Sequence, residues 1–162
     1  MKIEIVQADY QNSEHATALV WLLDLYAQDA MGGGHGLSED VKQNLVAALA
    51  QRPTAFSVLA FVDGKAAGLV NCFEGFSTFA CKPLINVHDV AVASAYRRQG
   101  IAQMMMAQVE RIAQERGCCK LTLEVLSGNH GAQQMYRKLG YAGYQLDAAT
   151  GGALFWQKRL DS

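Results

Sequence analysis

No apolar run in this 162-residue chain approaches the ~20 residues needed to cross a bilayer, so no membrane partner is expected. The opening Met1-Lys2-Ile3-Glu4-Ile5 reads as a strand and lacks the apolar core of a secretory signal. Neither sign of charge is in excess: 14 Lys and Arg stand against 15 Asp and Glu. A net charge of −1 argues against a nucleic-acid protein, whose binding surface is normally basic. Cysteine is sparse, and Cys72, Cys81, Cys118 and Cys119 show neither a C-x-x-C nor a histidine-paired metal spacing. The expectation is a cytoplasmic protein with reduced thiols and no metal. The adjacent Cys118 and Cys119 would face opposite ways at the start of a strand, which disfavours pairing them. Two familiar phosphate loops are missing as well. There is no G-x-x-x-x-G-K-[ST], and the glycine run Gly32-Gly33-Gly34-His35-Gly36 follows a helical pattern instead of a strand.

What is present is an ordinary globular composition, 51% hydrophobic and 18% charged. The length favours one domain over residues 1–162, since a chain of this size buries roughly two-thirds of its unfolded surface. A first strand is expected at residues 2–7. A helix capped by Asn12 or Ser13 should run to about Ala30, with Ala16, Leu19, Val20, Leu22, Leu23 and Tyr26 on its apolar side. After a glycine-rich loop, Ser38 caps a second helix whose first turn carries Glu39 and Asp40, and which should end before Pro53. Residues 55–62 and 66–73 flank Asp63-Gly64-Lys65, a hairpin signal. Residues 84–92 form a β-branched strand, 121–126 another, and 154–159 a last one. The fold class is therefore α/β, with a mixed central sheet flanked by helices: antiparallel first, then a strand–helix–strand crossover.

The chain is organised around Val92-Ala93-Ser94-Ala95-Tyr96-Arg97-Arg98-Gln99-Gly100-Ile101-Ala102. A strand leads in, and a helix with Ile101, Met105, Val109 and Ile112 on one side leads out. The first turn of a helix has backbone N–H groups without intrahelical partners and a partial positive charge. Gly100 removes side-chain bulk there, while Arg97 and Arg98 add charge. A phosphate or pyrophosphate suits that notch, although a solvated turn joining two elements would look the same locally.

A second segment, Asn129-x-x-Ala132-x-x-x-Tyr136-x-x-Leu139-Gly140-Tyr141, follows a strand and reads as a short helix closed by Gly140. Together with Arg97-x-x-Gly100-x-Ala102 it resembles the GNAT superfamily of acyl-CoA-dependent N-acetyltransferases. The first piece is similar to that family's pyrophosphate loop, R/Q-x-x-G-x-G/A, and the second to its Asn…Tyr helix. The resemblance covers about residues 54 to 160, while the N-terminal third shares the layout without a diagnostic motif.

The resemblance implies a parallel strand pair splayed around acetyl-CoA and direct attack of a substrate amine on the thioester, without an acyl-enzyme. It implies a cofactor site made of Val90, Ala91, Val92, Arg97, Arg98, Gln99, Gly100, Ile101, Ala102, Asn129 and Tyr136. The Val92 N–H would face the developing oxyanion, and residues 90–92 would pair with the extended pantetheine arm. Tyr136 is the candidate acid for the thiolate, because a phenol is protonated at neutral pH; a core role is the bland alternative. His88 is the candidate base, since imidazole titrates near neutrality, with Asp89 a second catalytic candidate and Glu124 and Glu74 as rivals. Neighbours on a strand face opposite ways, so His88 and Asp89 should diverge. Asn129 also reads as a helix cap.

The family usually builds its acceptor site near the early helices, which points to Asp29, with Phe73 and Glu74 as a further wall. The acceptor is a small-molecule or peptide amine. A non-catalytic acyl-CoA sensor of the same fold is the alternative, and an exposed terminal edge strand offers a route to a homodimer.

Overall fold

The computed structural model describes residues 1–160. Its strands are β1 (Ile3–Gln7), β2 (Ala55–Val62), β3 (Lys65–Ser77), β4 (Lys82–Val92) and β5 (Leu121–Leu123). They form one sheet in the order β1-β2-β3-β4-β5, antiparallel throughout except for the parallel β4–β5 pair. The helices are α1 (Ser13–Gln28), α2 (Glu39–Ala50), α3 (Ile101–Glu115) and α4 (His130–Lys138). This is the expected mixed α/β architecture. By internal contacts the chain divides into a unit Met1–Leu123 and a second unit beginning at Glu124.

Local chemistry sets the element ends. The Asn12 carboxamide oxygen accepts the Glu14 and His15 N–H groups at 2.9 and 3.1 Å and starts α1. Ser38 does the same for α2 through the Val41 N–H at 3.2 Å. Asp63 (φ 48°) and Gly64 (φ 79°) both take left-handed backbone, the two-residue turn that matches the twist of β2 and β3. Every residue of β2 is buried, because helices cover both faces of the sheet there.

On one face Ala18, Leu19 and Leu22 of α1 and Leu49 of α2 pack with Leu59, Phe61, Leu69 and Ala93. On the other lies α3, with Ile101, Met105, Met106, Val109 and Ile112 buried. Each such fully buried side chain contributes about 1.5–3 kcal/mol, far more than any propensity term in the same helix. Gly68 lets α3 approach: a Cβ there would lie 2.6 Å from Met105 Cε and 3.0 Å from its Sδ.

Three elements differ from expectation. β3 and β4 run on together to Ser77↔Lys82, so the turn falls later than residue 73. The fifth strand stops at Leu123 instead of 126. The segment 154–159 is no strand: it joins no ladder among the described residues, and Leu154 (80%), Phe155 (70%) and Trp156 (84%) are exposed. A run of strand-forming residues becomes a strand only where a neighbouring strand supplies hydrogen bonds, and the bridge nearby among the described residues is Gln145↔Gly152. Among the described residues no helix is long and apolar enough to cross a membrane.

Candidate active site

The site begins with a register slip. Asn71 of β3 pairs with Asp89, but the next residue, Cys72, pairs with Val87, so His88 is an extra residue in β4. Such a bulge advances the strand by one position and reverses which edge each backbone group faces. Above it the Ala93 N–H bonds to the Ala67 carbonyl at 2.9 Å. Counting back in an antiparallel ladder, Ala91 and Asp89 also turn their backbone groups to β3. Val90 and Val92 therefore turn theirs to the opposite edge.

That edge is open. β5 pairs with β4 only through Ile85↔Leu121, Asn86↔Thr122 and Val87↔Leu123. The ladder of the parallel pair ends at Val87, and two outward backbone positions follow on β4.

Beyond Val92 the chain makes a short 3₁₀ turn, Ser94–Tyr96, and enters the loop 97–100. Arg98 (φ 63°) and Gly100 (φ 77°) are both left-handed. Only glycine holds that conformation without strain, and Gly100 is the cap of α3. No side chain caps α3 and no acidic residue sits in its first turn, so the N–H groups of Ile101, Ala102 and Gln103 keep their positive field. Arg97, expected at the cofactor phosphates, makes two contacts within the protein. Its Nε donates to the Val92 carbonyl at 3.1 Å and its Nη2 lies 3.5 Å from Asp29 Oδ2. It ties the end of β4 to the end of α1, and both Arg97 and Arg98 are exposed.

The bulge also governs the side chains. Asn71 and Phe73 lie two apart on unbroken β3 and share a face. The Asn71 Nδ2 donates to Asp89 Oδ2 at 3.1 Å, and the Phe73 ring meets His88 edge-on at 5.3 Å. His88 and Asp89 thus reach one face together, in place of the divergence expected from a regular strand. Tyr26, in the last turn of α1, joins them. Its hydroxyl is pushed above the usual phenol value by burial first, then by the carboxylates of Asp89 and Asp29. Asp29 itself accepts the Met31 N–H at 2.9 Å as well as facing Arg97.

Glu74 sits elsewhere. One residue on from Phe73, it projects to the α3 face and pairs with Arg116 Nη1 at 3.1 Å. The Arg116 guanidinium lies 4.7 Å from the Phe56 ring centroid on that same side. The expectation of Glu74 beside Phe73 in one pocket wall is corrected by the alternation of the strand.

In the second unit Asn129 is the cap of α4, accepting the Ala132 N–H at 3.2 Å, as its position implied. Tyr136 is buried, with its ring 5.8 Å from that of Tyr141. The chain turns out of α4 through Gly140 (φ 95°), and the Tyr141 N–H returns to the Tyr136 carbonyl at 3.0 Å. Glu124 is exposed.

Sequence reasoning placed Tyr26 only on the apolar side of α1 and passed over Ser57 and Asn71. Ser57 and Asn71 are the buried polar residues of the unit Met1–Leu123 (0% and 4% exposed). Each is a lone polar residue inside an apolar strand run, and that interruption was the available signal. Among the described residues no group of His, Cys, Asp and Glu is arranged to hold a metal ion.

The model of the Acetyltransferase (GNAT) family matches residues 35–141, more than half of the chain. Streptothricin acetyltransferase of Streptomyces lavendulae is 36% identical over 87 residues, 54% of this chain and 44% of that protein. The chain thus spans less than half the length of that curated relative. A crystal structure of a probable acetyltransferase matches with a TM-score of 0.81 at 22% identity, covering 98% of this chain and 99% of the other. AAC(6')-Iy, an aminoglycoside N-acetyltransferase solved with the bisubstrate analogue CoA-S-monomethyl-acetylneamine, matches with a TM-score of 0.75 at 21% identity, covering 99% and 100%. At such identities the two solved structures bear on the fold.

Proposed function

This chain belongs to the GNAT family of acetyltransferases, and from that premise we propose that it moves an acetyl group from acetyl-CoA to a primary amine by direct attack in a ternary complex. The observation that carries the reading is the edge of β4. Two backbone positions, Val90 and Val92, face outward where β5 has ended, and an uncapped helix start follows within one loop. That donor set fits an extended, amide-rich arm ending in a diphosphate. When bound, acetyl-CoA supplies an activated thioester.

The chain's own residues do the rest. The N–H groups of residues 98–102, with the Arg98 charge, hold the anionic end, and Val90 and Val92 pair with the arm. The Val92 N–H is the donor for the thioester oxygen as negative charge grows on it. Arg97 holds the Val92 carbonyl and so steadies the next peptide along.

On the α1 face, Asp89, Asp29 and the Tyr26 hydroxyl form the anionic side of an acceptor site, suited to an amine that arrives as an ammonium ion. His88, on the bulge and against Phe73, is the group that takes the ammonium proton. Tyr136 is the acid that returns a proton to the departing thiolate, and Asn129 orders the start of its helix. The names of the streptothricin and aminoglycoside enzymes favour a small, multiply charged amine over a peptide N-terminus.

Release of free CoA thiol from acetyl-CoA, measured with neamine, lysine and a peptide N-terminus in turn, tests the reading. Acceleration by an amine is expected. Tyr136→Phe should then lower kcat about 10²-fold with the KM for acetyl-CoA within twofold of the parent. Binding of acetyl-CoA without acceleration by any amine would leave the sensor alternative in its place.

A further inference from the structure

Ser57, Asn71 and Asp89 occupy one row across the sheet. Ser57↔Asn71 are partners between β2 and β3, and Asn71↔Asp89 between β3 and β4. Asp89 stands in that row only because His88 is the extra residue; without the bulge His88 would face Asn71. Tyr10, from the segment between β1 and α1, completes the line. Its hydroxyl lies 2.8 Å from Ser57 Oγ, Ser57 Oγ lies 2.6 Å from Asn71 Oδ1, and Asn71 Nδ2 lies 3.1 Å from Asp89 Oδ2.

Chemistry allows one direction. An ionised carboxylate only accepts, so the Asn71 amide must present its NH2 to Asp89 and its oxygen to Ser57. Ser57 then spends its single proton on Asn71, and Tyr10 must donate to Ser57. Burial raises the Tyr10 pKa, which keeps that phenol a donor. A carboxamide in the middle is a poor proton carrier, so the line orients rather than relays.

Stability does not ask for it. Apolar side chains of similar size at positions 57 and 71 would cost nothing in desolvation, whereas buried polar groups cost about 1–3 kcal/mol each unless fully paired. The line ends on a half-buried carboxylate whose second oxygen, Oδ1, has no hydrogen bond among the described residues.

We propose that Tyr10, Ser57 and Asn71 are positioning residues for acceptor recognition, holding the Asp89 carboxylate with one oxygen fixed and the other directed to the acceptor's ammonium group. The inference rests on the proposed acetyl transfer for its kinetic consequence, but its core is a binding claim. Asn71→Leu removes the donor to Asp89, Ser57→Ala and Tyr10→Phe loosen it from behind, and Ser57→Thr keeps the hydroxyl.

The experiment is calorimetric binding of neamine to the parent, the four variants and Asp89→Asn, with melting temperatures alongside. The same proteins are assayed for CoA release. Neamine Kd should rise about tenfold in Asn71→Leu and in Asp89→Asn, and about threefold in Ser57→Ala and Tyr10→Phe. Ser57→Thr should restore the parent value, and acetyl-CoA affinity should stay within twofold in all of them.

If CoA release is absent but neamine binding follows this pattern, the acetyl-transfer reading fails and the positioning role stands. If the parent does not bind neamine, if Asn71→Leu binds it as the parent does, or if affinity for both ligands falls together with the melting temperature, the positioning role is overturned. Should Asn71→Leu not fold, Ser57→Ala against Ser57→Thr carries the same decision.

Discussion

The two halves of β4 share a chain direction and a sheet but differ in what flanks them. From Lys82 to Val87 the strand lies between β3 and, over its last three residues, β5. From His88 to Val92 it pairs, among the described residues, with β3 alone. The closed half is structural: Ile85 and Val87 are buried, and their backbone groups are consumed by neighbours. The open half exposes hydrogen-bonding groups that most sheets cover or disguise. One inserted residue, His88, separates the halves and puts its own side chain on the face that Asp89 shares. The end of the β5 ladder, not a special residue type, makes the difference between wall and binding edge.

Removing His88 separates what the bulge does from what the open edge does. Its deletion joins Val87 to Asp89, whose partners Cys72 and Asn71 are already neighbours on β3, so both ladders keep their register and only the bulge and its imidazole are lost. Acetyl-CoA Kd should stay within about twofold of the parent, because Val90 and Val92 still face outward, while any CoA release should fall by about 10²-fold with the loss of the proposed base. His88→Ala keeps the extra residue, so its acetyl-CoA Kd should stay within twofold of the parent. Calorimetry on both variants, with far-UV circular dichroism to check the sheet, makes the comparison.

A smaller break comes from Gly68, the partner of Val92 on β3. Gly68→Val places atoms where Met105 and Ile101 now sit and should cost about 1–3 kcal/mol of stability, read by denaturant unfolding. Because Ile101 opens α3, acetyl-CoA affinity should fall with it. Gly100→Ala puts a Cβ on a residue at φ 77°, a strain of about 1–2 kcal/mol. The neighbouring space is ordinary, 3.6 Å to Gln103 Oε1, so strain alone should act. Melting temperature should drop slightly, and the KM for acetyl-CoA should rise several-fold.

The smallest effect concerns the closed half, where Cys72 faces Val87. Burial pushes its thiol from 9.0 up to about 12, so it stays protonated and should be silent to a thiol reagent at pH 8, while the exposed Cys81 and Cys119 react. The sign for stability follows. The unfolded chain releases this proton near pH 9.0 and the folded one only near 12. Folding stability therefore falls as pH rises between those values, by about 1.4 kcal/mol per unit. Cys72→Ser should flatten that slope in alkaline unfolding curves.

Most of this framework was legible in the sequence because its signals are local. Asn12, Ser38 and Asn129 cap helices where capping chemistry places them, and Asp63-Gly64 makes its turn. The hairpin signal marked β2 and the start of β3, and a β-branched run marked β4. The loop 97–100 was legible too, since Gly100 stands where a left-handed cap is required.

The bulge was not, because register is a relation between two strands and neither carries it alone. For the same reason His88 and Asp89 were expected to diverge. The segment 154–159 misled for the opposite cause: its pattern suits a strand, yet a strand needs a ladder that pattern cannot supply. Glu74 was misassigned to the Phe73 wall although the period of two already set them on opposite faces.

Amide hydrogen exchange by NMR on the open half, with and without saturating CoA, tests the central claim most directly. If the outward edge of β4 holds the CoA arm, the Val90 and Val92 amides gain protection with CoA, while Ala91, already turned to β3, changes little. Equal changes at all three residues, or none with CoA bound elsewhere, would contradict it.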